Sequence, residues 1–414
     1  MIHYMTTNGI GNAWVAVELK YLKESGIPVV LHSMRSPRLN FFGSDWAKKI
    51  DQETRPIYPI KLIGFIVSII AAPFLFRKYF FQSLFNALFS ERENFRARIS
   101  CIAHLFVAAD WARRIRHEKI TLIHSQWIQS CGSIAWYAAW LLDKPFSFTG
   151  HAVDLFRERS ALRDKIASAK FIISISEFHK NFYIKLGSTP EKIYTVYCGI
   201  DVDDFAYDFK PMSEAIRILS FGRLVEKKGF DTLIEACSIL RNKGLEFECE
   251  IAGSGPDEKL LTDMVTHLDL SDQVKVTGKP LLQEDIKDWL KQGNIFAQPC
   301  CWSKDNDVDG IPRSLMEAMA CGLPSISTSV AGIPDLVKDG ESGLLIEEKN
   351  PEALAESILR LVNDNDLAKN ISLGGRRHME EHFNLKTCLL PLAELYKNEL
   401  LVDNAATTLD NKQL

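Results

Sequence analysis

Three cations follow the strand predicted at residues 216–221, in the segment GRLVEKKG at residues 222–229. Arg223, Lys227 and Lys228 thus lie on a predicted strand-to-helix turn, beside Gly229 and the start of a helix. Cationic side chains and the free N–H groups of a helix N-terminus together bind phosphate oxygens. The segment therefore predicts a diphosphate site. The alternative interpretation of the same residues is a solvated charged loop.

Two carboxylates lie in a second segment, DGIPRSLMEAMACGLP, at residues 309–324. Pro312 suits the first turn of a helix, so the sequence predicts a helix over residues 312–321 that ends at Gly322. Asp309 precedes this helix and Glu317 lies within it, after two apolar residues. A partly buried Glu317 needs hydrogen-bond partners, which sugar hydroxyls would supply, whereas a surface glutamate is the alternative.

A histidine, His151, follows the strand predicted at residues 145–149 and comes directly after Gly150. A lone histidine is most often structural. In open α/β sheets, however, ligands bind beyond the carboxyl ends of the strands, which is where His151 is expected to lie.

A pair of carboxylates could instead indicate a glycosidase. A glycosidase has no need of a cationic phosphate site at a neighbouring strand end, so this alternative is disfavoured.

The composition is that of an ordinary globular protein of two domains, with 414 residues, 46% of them hydrophobic. A net charge of −4 argues against a nucleic-acid coat. Nine cysteines without metal-ligand spacing, and an N-terminus without the pattern of a signal peptide, predict a reduced, cytoplasmic compartment.

Residues 62–76 (LIGFIVSIIAAPFLF) form a stretch without charge. As a helix this stretch would be about 22 Å long, short of the roughly 30 Å of a bilayer core. A buried core helix and a helix lying in a membrane interface are both open interpretations. Residues 77–119 carry nine Lys/Arg and four Asp/Glu, which is compatible with an anionic membrane surface or with a solvated helix face.

Strand and helix patterns alternate along the chain, which predicts an α/β fold with parallel sheets. The predicted strands are 121–124, 145–149, 171–176, 193–197, 216–221, 247–252, 274–277, 295–298 and 324–327. The clearest helix is predicted over residues 231–243, capped by Asp231 and ended by Gly244. A polar segment around residues 201–213 predicts the domain boundary.

Together these segments resemble the retaining GT-B glycosyltransferases of family 4 (glycosyl transferases group 1). The resemblance covers about residues 120–385. Besides the segments above, it depends on AGSGP at 252–256, GIPD at 332–335, SISE at 174–177 and CGID at 198–201. The segments PFSFTGHAVDLF and DGIPRSLMEAMACGLP are similar to members that work in bacterial exopolysaccharide assembly of the colanic-acid type.

The resemblance implies a role for each site residue. Arg223 and Lys228 bind the donor diphosphate and stabilise the leaving charge, and Glu317 accepts hydrogen bonds from the ribose. Asp309, with the backbone of Gly310 and Ile311, contacts the donor sugar. His151 lies near the sugar and the acceptor. Gly9 and Gly11 form a loop of the first domain beside the phosphates.

The implied fold is GT-B, with two Rossmann-like domains facing across a cleft. The expected parts are an acceptor-binding domain at residues 1–205, a nucleotide-sugar-binding domain at 206–385, a helix at 386–403 crossing back to the first domain, and a disordered tail at 404–414.

The implied reaction moves a hexosyl group, with retention and without a metal or cofactor, from an NDP-sugar to a saccharide hydroxyl. UDP is favoured over GDP. The expected acceptor is a lipid-linked saccharide, and residues 41–98, which match no known pattern, are expected to select it. The expected location is cytoplasmic and peripheral on the inner face of the plasma membrane. A non-catalytic nucleotide-sugar-binding module and another GT-B enzyme, such as an NDP-sugar epimerase, are the alternatives.

Overall fold

The computed structural model describes residues 1–11, 13–36, 45–151, 153–157, 159–212 and 215–410. Its internal contacts divide the chain into two compact units. Unit 1 comprises Met1–Ile175, Lys180–Tyr197 and the chain from Leu389 onward, and unit 2 comprises Ser176–His179 and Cys198–Cys388. The chain thus passes into unit 2 at Cys198, ahead of the boundary predicted at 205/206.

Unit 1 is built on a sheet of seven parallel strands. These are β1 (Ile2–Thr6), β2 (Val29–Ser33), β3 (Arg55–Pro56), β4 (Leu122–Gln126), β5 (Phe146–Thr149), β6 (Phe171–Ser174) and β7 (Ile193–Thr195). Their order is β3-β2-β1-β4-β5-β6-β7, so the direction of winding reverses between β1 and β4. The segments that connect these strands contain seven described α-helices. They are α1 (Ala13–Glu24), α2 (Asp45–Glu53), α3 (Leu62–Phe89), α4 (Phe95–Ile115), α5 (Ser130–Leu141), α6 (Leu162–Ser168) and α7 (Glu177–Lys185).

Unit 2 is built on a sheet of six parallel strands. These are β8 (Ile216–Phe221), β9 (Phe247–Ala252), β10 (Val274–Val276), β11 (Ile295–Ala297), β12 (Ser325–Thr328) and β13 (Leu344–Ile346). Their order is β10-β9-β8-β11-β12-β13, with the reversal between β8 and β11. The helices are α8 (Phe230–Asn242), α9 (Glu258–His267), α10 (Ile286–Leu290), α11 (Arg313–Cys321), α12 (Ile333–Leu336), α13 (Pro351–Asn363) and α14 (Asn365–His382).

The last helix, α15 (Leu385–Asp410), belongs to unit 1 from Leu389 onward. Tyr396 of this helix is fully buried, and its ring lies 5.7 Å from His124 and 6.3 Å from Phe171 between centroids. Residues 404–410, in the tail predicted to be disordered, are part of this helix. Residues 411–414 lie outside the described residues.

All nine predicted strands are present, with ends within two residues of the prediction. Strands β1, β2, β3 and β13 were not predicted. The predicted helix at 231–243 is α8, but Gly229 is its N-cap residue and Asp231 lies in its first turn. The prediction that Asp231 caps α8 was therefore wrong by two positions.

Helix α3 extends well beyond the apolar stretch that predicted it. Among the described residues, it is the one helix that is long and apolar enough to cross a membrane, yet only 17% of its most apolar window is buried. Large side chains such as Ile63 and Phe74 are 82% and 78% exposed. The interpretation as a buried core helix is therefore wrong for most of its length.

Candidate functional site

A cluster of two lysines and two aspartates lies where the strand order of unit 2 reverses. Lys227 and Lys228 follow β8, and Asp307 and Asp309 follow β11. Nζ of Lys228 lies 2.5 Å from Oδ2 of Asp309, and Nζ of Lys227 lies 3.0 Å from Asp307 Oδ2 and 3.0 Å from Asp309 Oδ1. Asp309 thus bridges both lysines, which the sequence did not predict.

The backbone around the lysines is fixed by Gly229. Its φ of 67° is left-handed, and a Cβ at this position would lie 1.8 Å from the carbonyl oxygen of Pro299. Only glycine therefore allows the short helical turn that contains Lys227 and Lys228 to pass this close to the chain after β11.

All members of the cluster that show a pKa shift favour their charged forms. Burial raises the pKa of Asp309, but Lys228 and Lys227 outweigh it and bring the pKa to about 2. Burial lowers the pKa of Lys228, and Asp309 more than reverses this, so the pKa is raised. The cluster therefore holds charged lysines at neutral pH, already neutralised by carboxylates.

Arg223 differs from the two lysines. Its side chain is exposed and makes no hydrogen bond or ion pair with a residue that the structure describes. It lies on the same turn after β8, so it is available to an incoming anion without displacing a partner.

Glu317 lies in α11 and is only 1% exposed. Its Oε1 accepts hydrogen bonds from Nε of Arg313 at 2.8 Å and from Nε2 of Gln283 at 3.0 Å. The sequence singled out neither Arg313 nor Gln283, although Arg313 lies one helical turn before Glu317, where an ion pair forms readily.

The start of α11 is one residue later than predicted. Pro312 is the N-cap residue, with an extended ψ of 122°, and Arg313 is the first helical residue. Gly310 and Ile311 precede this N-terminus, and the backbone oxygen of Gly310 accepts a hydrogen bond from the N–H of Gly332 at 3.0 Å. Gly322 ends the helix with φ 89°, as predicted.

In unit 1, the predicted glycine loop directly follows β1. Gly9 has φ 56°, and the N–H of Gly11 donates to the backbone oxygen of Asn8 at 2.9 Å. The chain therefore makes a tight turn between β1 and α1, at the strand end where the winding of the sheet reverses.

His151 lies against two tryptophans, an arrangement that the sequence did not predict. Its ring centroid is 4.5 Å from Trp14 and 5.6 Å from Trp127, and its backbone N–H donates to Asp154 Oδ2 at 3.3 Å. Trp127 has φ 106°, a conformation that costs free energy for a bulky residue and often marks functional sites. We call Trp14, Trp127 and His151 the aromatic wall. Half-buried rings of this kind can pack against the apolar face of a sugar.

A buried glutamate lies behind the aromatic wall. The hydroxyl of Tyr4 is 2.5 Å from Glu18 Oε1 and 2.5 Å from Gln126 Oε1, and Nε2 of Gln126 is 3.5 Å from His151 Nε2. Tyr4 has one proton to donate, so a protonated Glu18 completes both bonds. Burial raises the pKa of Glu18 from 4.5 to about 7, consistent with this arrangement.

We expect Glu18→Gln to stabilise the protein at pH 8 but not at pH 4. The folded state keeps the Glu18 proton that the unfolded state releases above pH 4.5, so the favourable contribution is complete below pH 4.5 and is lost as the pH rises to 7. The difference in free energy of unfolding should approach roughly 3 kcal/mol. Thermal unfolding at the two pH values measures it, with the exposed Glu24→Gln as control. A difference that does not change with pH would contradict the protonated form.

The two parallel-sheet units, each with polar residues at the reversal of its strand order, define a GT-B fold, as predicted. The structure superposes on a glycosyltransferase from Rickettsia africae with a TM-score of 0.70 and 18% identity, covering 97% of this chain and 98% of that one. Anabaena HepE, in a complex with UDP and glucose, gives a TM-score of 0.67 at 16% identity, covering 96% and 99%.

Two family models match the chain in succession. Glycosyltransferase Family 4 matches residues 13–204, and Glycosyl transferases group 1 matches residues 206–378. The chain therefore belongs to the family 4 glycosyltransferases, as the sequence motifs indicated.

Curated relatives are similar over a shorter region. The amylovoran biosynthesis glycosyltransferase AmsK of Erwinia amylovora is 38% identical over 55% of this chain and 56% of its own length. The putative colanic acid biosynthesis glycosyltransferase WcaL of Salmonella typhimurium is 34% identical over 54% of this chain and 55% of its own. The match thus spans about half the length of these relatives.

Proposed function

We propose that this family 4 member transfers a hexosyl group from an NDP-sugar, with UDP favoured over GDP, to a hydroxyl of a lipid-linked saccharide. The reaction proceeds with retention, without a metal or cofactor, in bacterial surface or exopolysaccharide assembly. The observation that carries the proposal is the group of cations, Arg223, Lys227 and Lys228, at the reversal point of unit 2.

The position of these cations suits a nucleotide diphosphate. Ligands of open parallel sheets bind at the strand ends where the strand order reverses, and in unit 2 that is the end of β8 and β11. The N-terminus of α11 also lies after β11 and offers free N–H groups to an anion. When the sugar leaves, negative charge develops on the diphosphate, and fixed cations stabilise it.

Two built-in lysines also support a reaction without a metal. Asp307 and Asp309 have the Asp-x-Asp spelling that could suggest a metal site. Their carboxylates instead form ion pairs with the ammonium groups of Lys227 and Lys228. A divalent ion would have to displace both ammonium groups from these carboxylates.

The relatives support the biosynthetic setting. AmsK is described as a glycosyltransferase of amylovoran biosynthesis, and WcaL as a putative glycosyltransferase of colanic acid biosynthesis. HepE has been solved with UDP and glucose. By analogy with these proteins, we propose a UDP-sugar donor and a saccharide acceptor for this chain.

A thermal-shift screen against UDP-, GDP- and ADP-sugars tests the donor. A ligand that binds only the folded state at 100 times its Kd stabilises it by about 2.7 kcal/mol, so a UDP-sugar should raise Tm most. Slow hydrolysis of the same sugar nucleotide would then separate an enzyme from a binding module. Release of the free sugar with its ring configuration unchanged contradicts an epimerase. A protein that binds the sugar nucleotide but neither hydrolyses it nor transfers the sugar to added saccharide acceptors contradicts the transferase.

His151→Ala should lower transfer to the acceptor by at least ~10-fold, because a reacting group displaced by about 1 Å already slows a reaction strongly. Calorimetric binding of UDP should change less than two-fold, since the nucleotide is assigned to unit 2. His151→Phe keeps the packing against Trp14 but removes the ring nitrogens. Full transfer by His151→Phe would reduce the role of His151 to packing, and the exposed His267→Ala serves as control.

A further inference from the structure

Helix α3 has the reverse of the usual distribution of side chains. Its buried positions carry mostly small residues; they are Ser68, Ala72, Phe76, Phe80, Ser83 and Ala87. Its exposed positions carry large apolar residues; they include Ile63, Ile70, Phe74, Phe81, Phe85 and Phe89. A helix on a water-facing surface buries its large apolar side chains instead. Small residues at a helix–helix contact and large ones outside are the pattern of helices that face lipid.

One of the small buried residues of α3, Ser68, connects it to α4 through polar contacts. Ser68 Oγ donates to Asp110 Oδ1 at 2.6 Å and accepts from Nε of Arg113 at 2.7 Å. Because the hydroxyl of Ser68 bonds to side chains of α4, these contacts fix the rotation of α3 about its axis. The large apolar side chains on the opposite side of α3 therefore face outward.

The helix is interrupted at its middle. Arg77 has φ 47° and ψ −121°, so α3 consists of two helical segments joined at a charged residue. The first segment, residues 62–76, is only about 22 Å long, less than the roughly 30 Å of a bilayer core. A single straight span would also place Arg77 and Lys78 deep in the hydrocarbon, which is costly.

Exposed cations flank the apolar face. Lys61 lies at its start, Arg77 and Lys78 at the break, and Arg96 in the first turn of α4, beside the exposed Phe95. Residues 61–99 carry six Lys/Arg and two Asp/Glu in a chain whose net charge is −4. The charge therefore complements an anionic surface, and the apolar face complements its acyl chains.

We propose that α3 and the start of α4 form a docking surface for an anionic lipid bilayer. The large side chains of α3 enter the interface, its axis lies along the membrane plane, and Arg77, Lys78 and Arg96 contact lipid headgroups. The inference extends the proposed function, because it names the surface by which the enzyme reaches a lipid-linked acceptor.

Flotation of the full chain with vesicles tests the surface. The protein should float with vesicles of phosphatidylglycerol and phosphatidylcholine, and float much less with phosphatidylcholine alone. Arg77→Gln with Lys78→Gln should lower the partition coefficient about 30-fold, at ~1 kcal/mol for each charge near an anionic surface. Lys243→Gln with Lys369→Gln, two exposed lysines of unit 2, should leave it unchanged.

A second pair of variants tests the apolar face. Phe74→Glu with Phe85→Glu should lower the partition coefficient at least ten-fold, while Leu260→Glu with Leu373→Glu, at exposed leucines of unit 2, should not. Both phenylalanines are exposed, so the variants should keep the Tm of the wild type. Equal flotation of all variants, or no flotation of the wild type, overturns the proposal.

Other occupants give different results. If the face binds a second copy of the chain, the wild type is a dimer without lipid and Phe74→Glu makes it monomeric. If α3 spans the bilayer, the wild type resists extraction at alkaline pH. Either result overturns the proposal. Binding of the UDP-, GDP- and ADP-sugars, measured separately without vesicles, reports on the proposed function. Loss of flotation with intact binding of a sugar nucleotide rejects the surface alone. Flotation without binding of any of these sugar nucleotides rejects the transferase alone.

Discussion

Replacement of Lys228 or Arg223 by alanine is expected to lower kcat/KM for the sugar nucleotide by ~10²–10³-fold, the size of the loss of one charge-stabilising group. Lys228 is nearly buried beside Asp309, and Arg223 is exposed without a described partner. Both should act on the diphosphate as negative charge develops on it. Steady-state kinetics with the donor identified by thermal shift measures the effect.

The loss in Lys228→Ala has a second cause to separate, because Asp309 then retains only Lys227 as its ion-pair partner. The Tm of Lys228→Ala reports that imbalance. If Lys228→Ala keeps the Tm of the wild type but loses turnover, the loss is catalytic. Lys243→Ala, at an exposed lysine after α8, is the control. Near-normal turnover in both Arg223→Ala and Lys228→Ala would refute the diphosphate assignment.

The second large effect separates the two carboxylates. Glu317→Ala should weaken both the NDP-sugar and free NDP by roughly 3 kcal/mol, about 100-fold or more, because the ribose is common to both ligands. Asp309→Ala should leave NDP binding intact or tighten it, since Lys227 and Lys228 lose a competing carboxylate. Its turnover of the NDP-sugar should nevertheless fall. Calorimetric titration with NDP, and turnover of the NDP-sugar, distinguish the two variants.

Glu317 is also bonded to Arg313 and Gln283, so its loss could disturb α11. Arg313→Ala removes one of these bonds and leaves the carboxylate in place. If Arg313→Ala weakens NDP as much as Glu317→Ala does, the carboxylate acts through the helix and not on the ribose. If Asp309→Ala loses NDP while Glu317→Ala keeps it, the roles implied by the family are reversed here.

Some of the strands that the sequence predicted correctly are apolar or nearly so and fully buried, such as β6 (FIIS) and β11 (IFA). A strand covered on both faces by helices has no polar side, which makes it easy to recognise. Strand β1 was missed because it contains His3, Tyr4 and Thr6, all buried with polar partners from distant segments. The sequence around a strand does not reveal partners that only the fold brings close.

The candidate site shows the same limit. The spacing of Arg223, Lys228, Asp309 and Glu317 was apparent from the motifs, because each follows a predicted strand or lies in a predicted helix. The pairing of Lys227 and Lys228 with Asp307 and Asp309 was not, because roughly 80 residues separate the partners. Likewise, Trp14 lies in the first turn of α1 and Trp127 directly follows β4, and only the arrangement of β1, β4 and β5 brings them to His151.

For α3, the sequence predicted an apolar helix but left open whether its apolar side chains are buried or exposed. An uncharged run of residues indicates an apolar environment, but periodicity alone does not tell protein interior from lipid, since both accept the same side chains. In the structure, the side of α3 that faces its neighbouring helix carries mostly small residues, and the exposed side carries large apolar ones. This difference can be recognised only when the position of the neighbouring helix is known.

The return of α15 to unit 1 has a consequence for synthesis. Tyr396 packs on His124 and Phe171, so unit 1, most of which precedes unit 2 along the chain, also needs residues beyond 388 to complete its core. Domains ordinarily fold as they leave the ribosome, at about 5–20 residues per second. Here unit 2 has all its residues before unit 1 does. On the ribosome, unit 1 must therefore remain incompletely folded until the whole of unit 2 has emerged. Unit 1 is thus the part of the chain most in need of a chaperone.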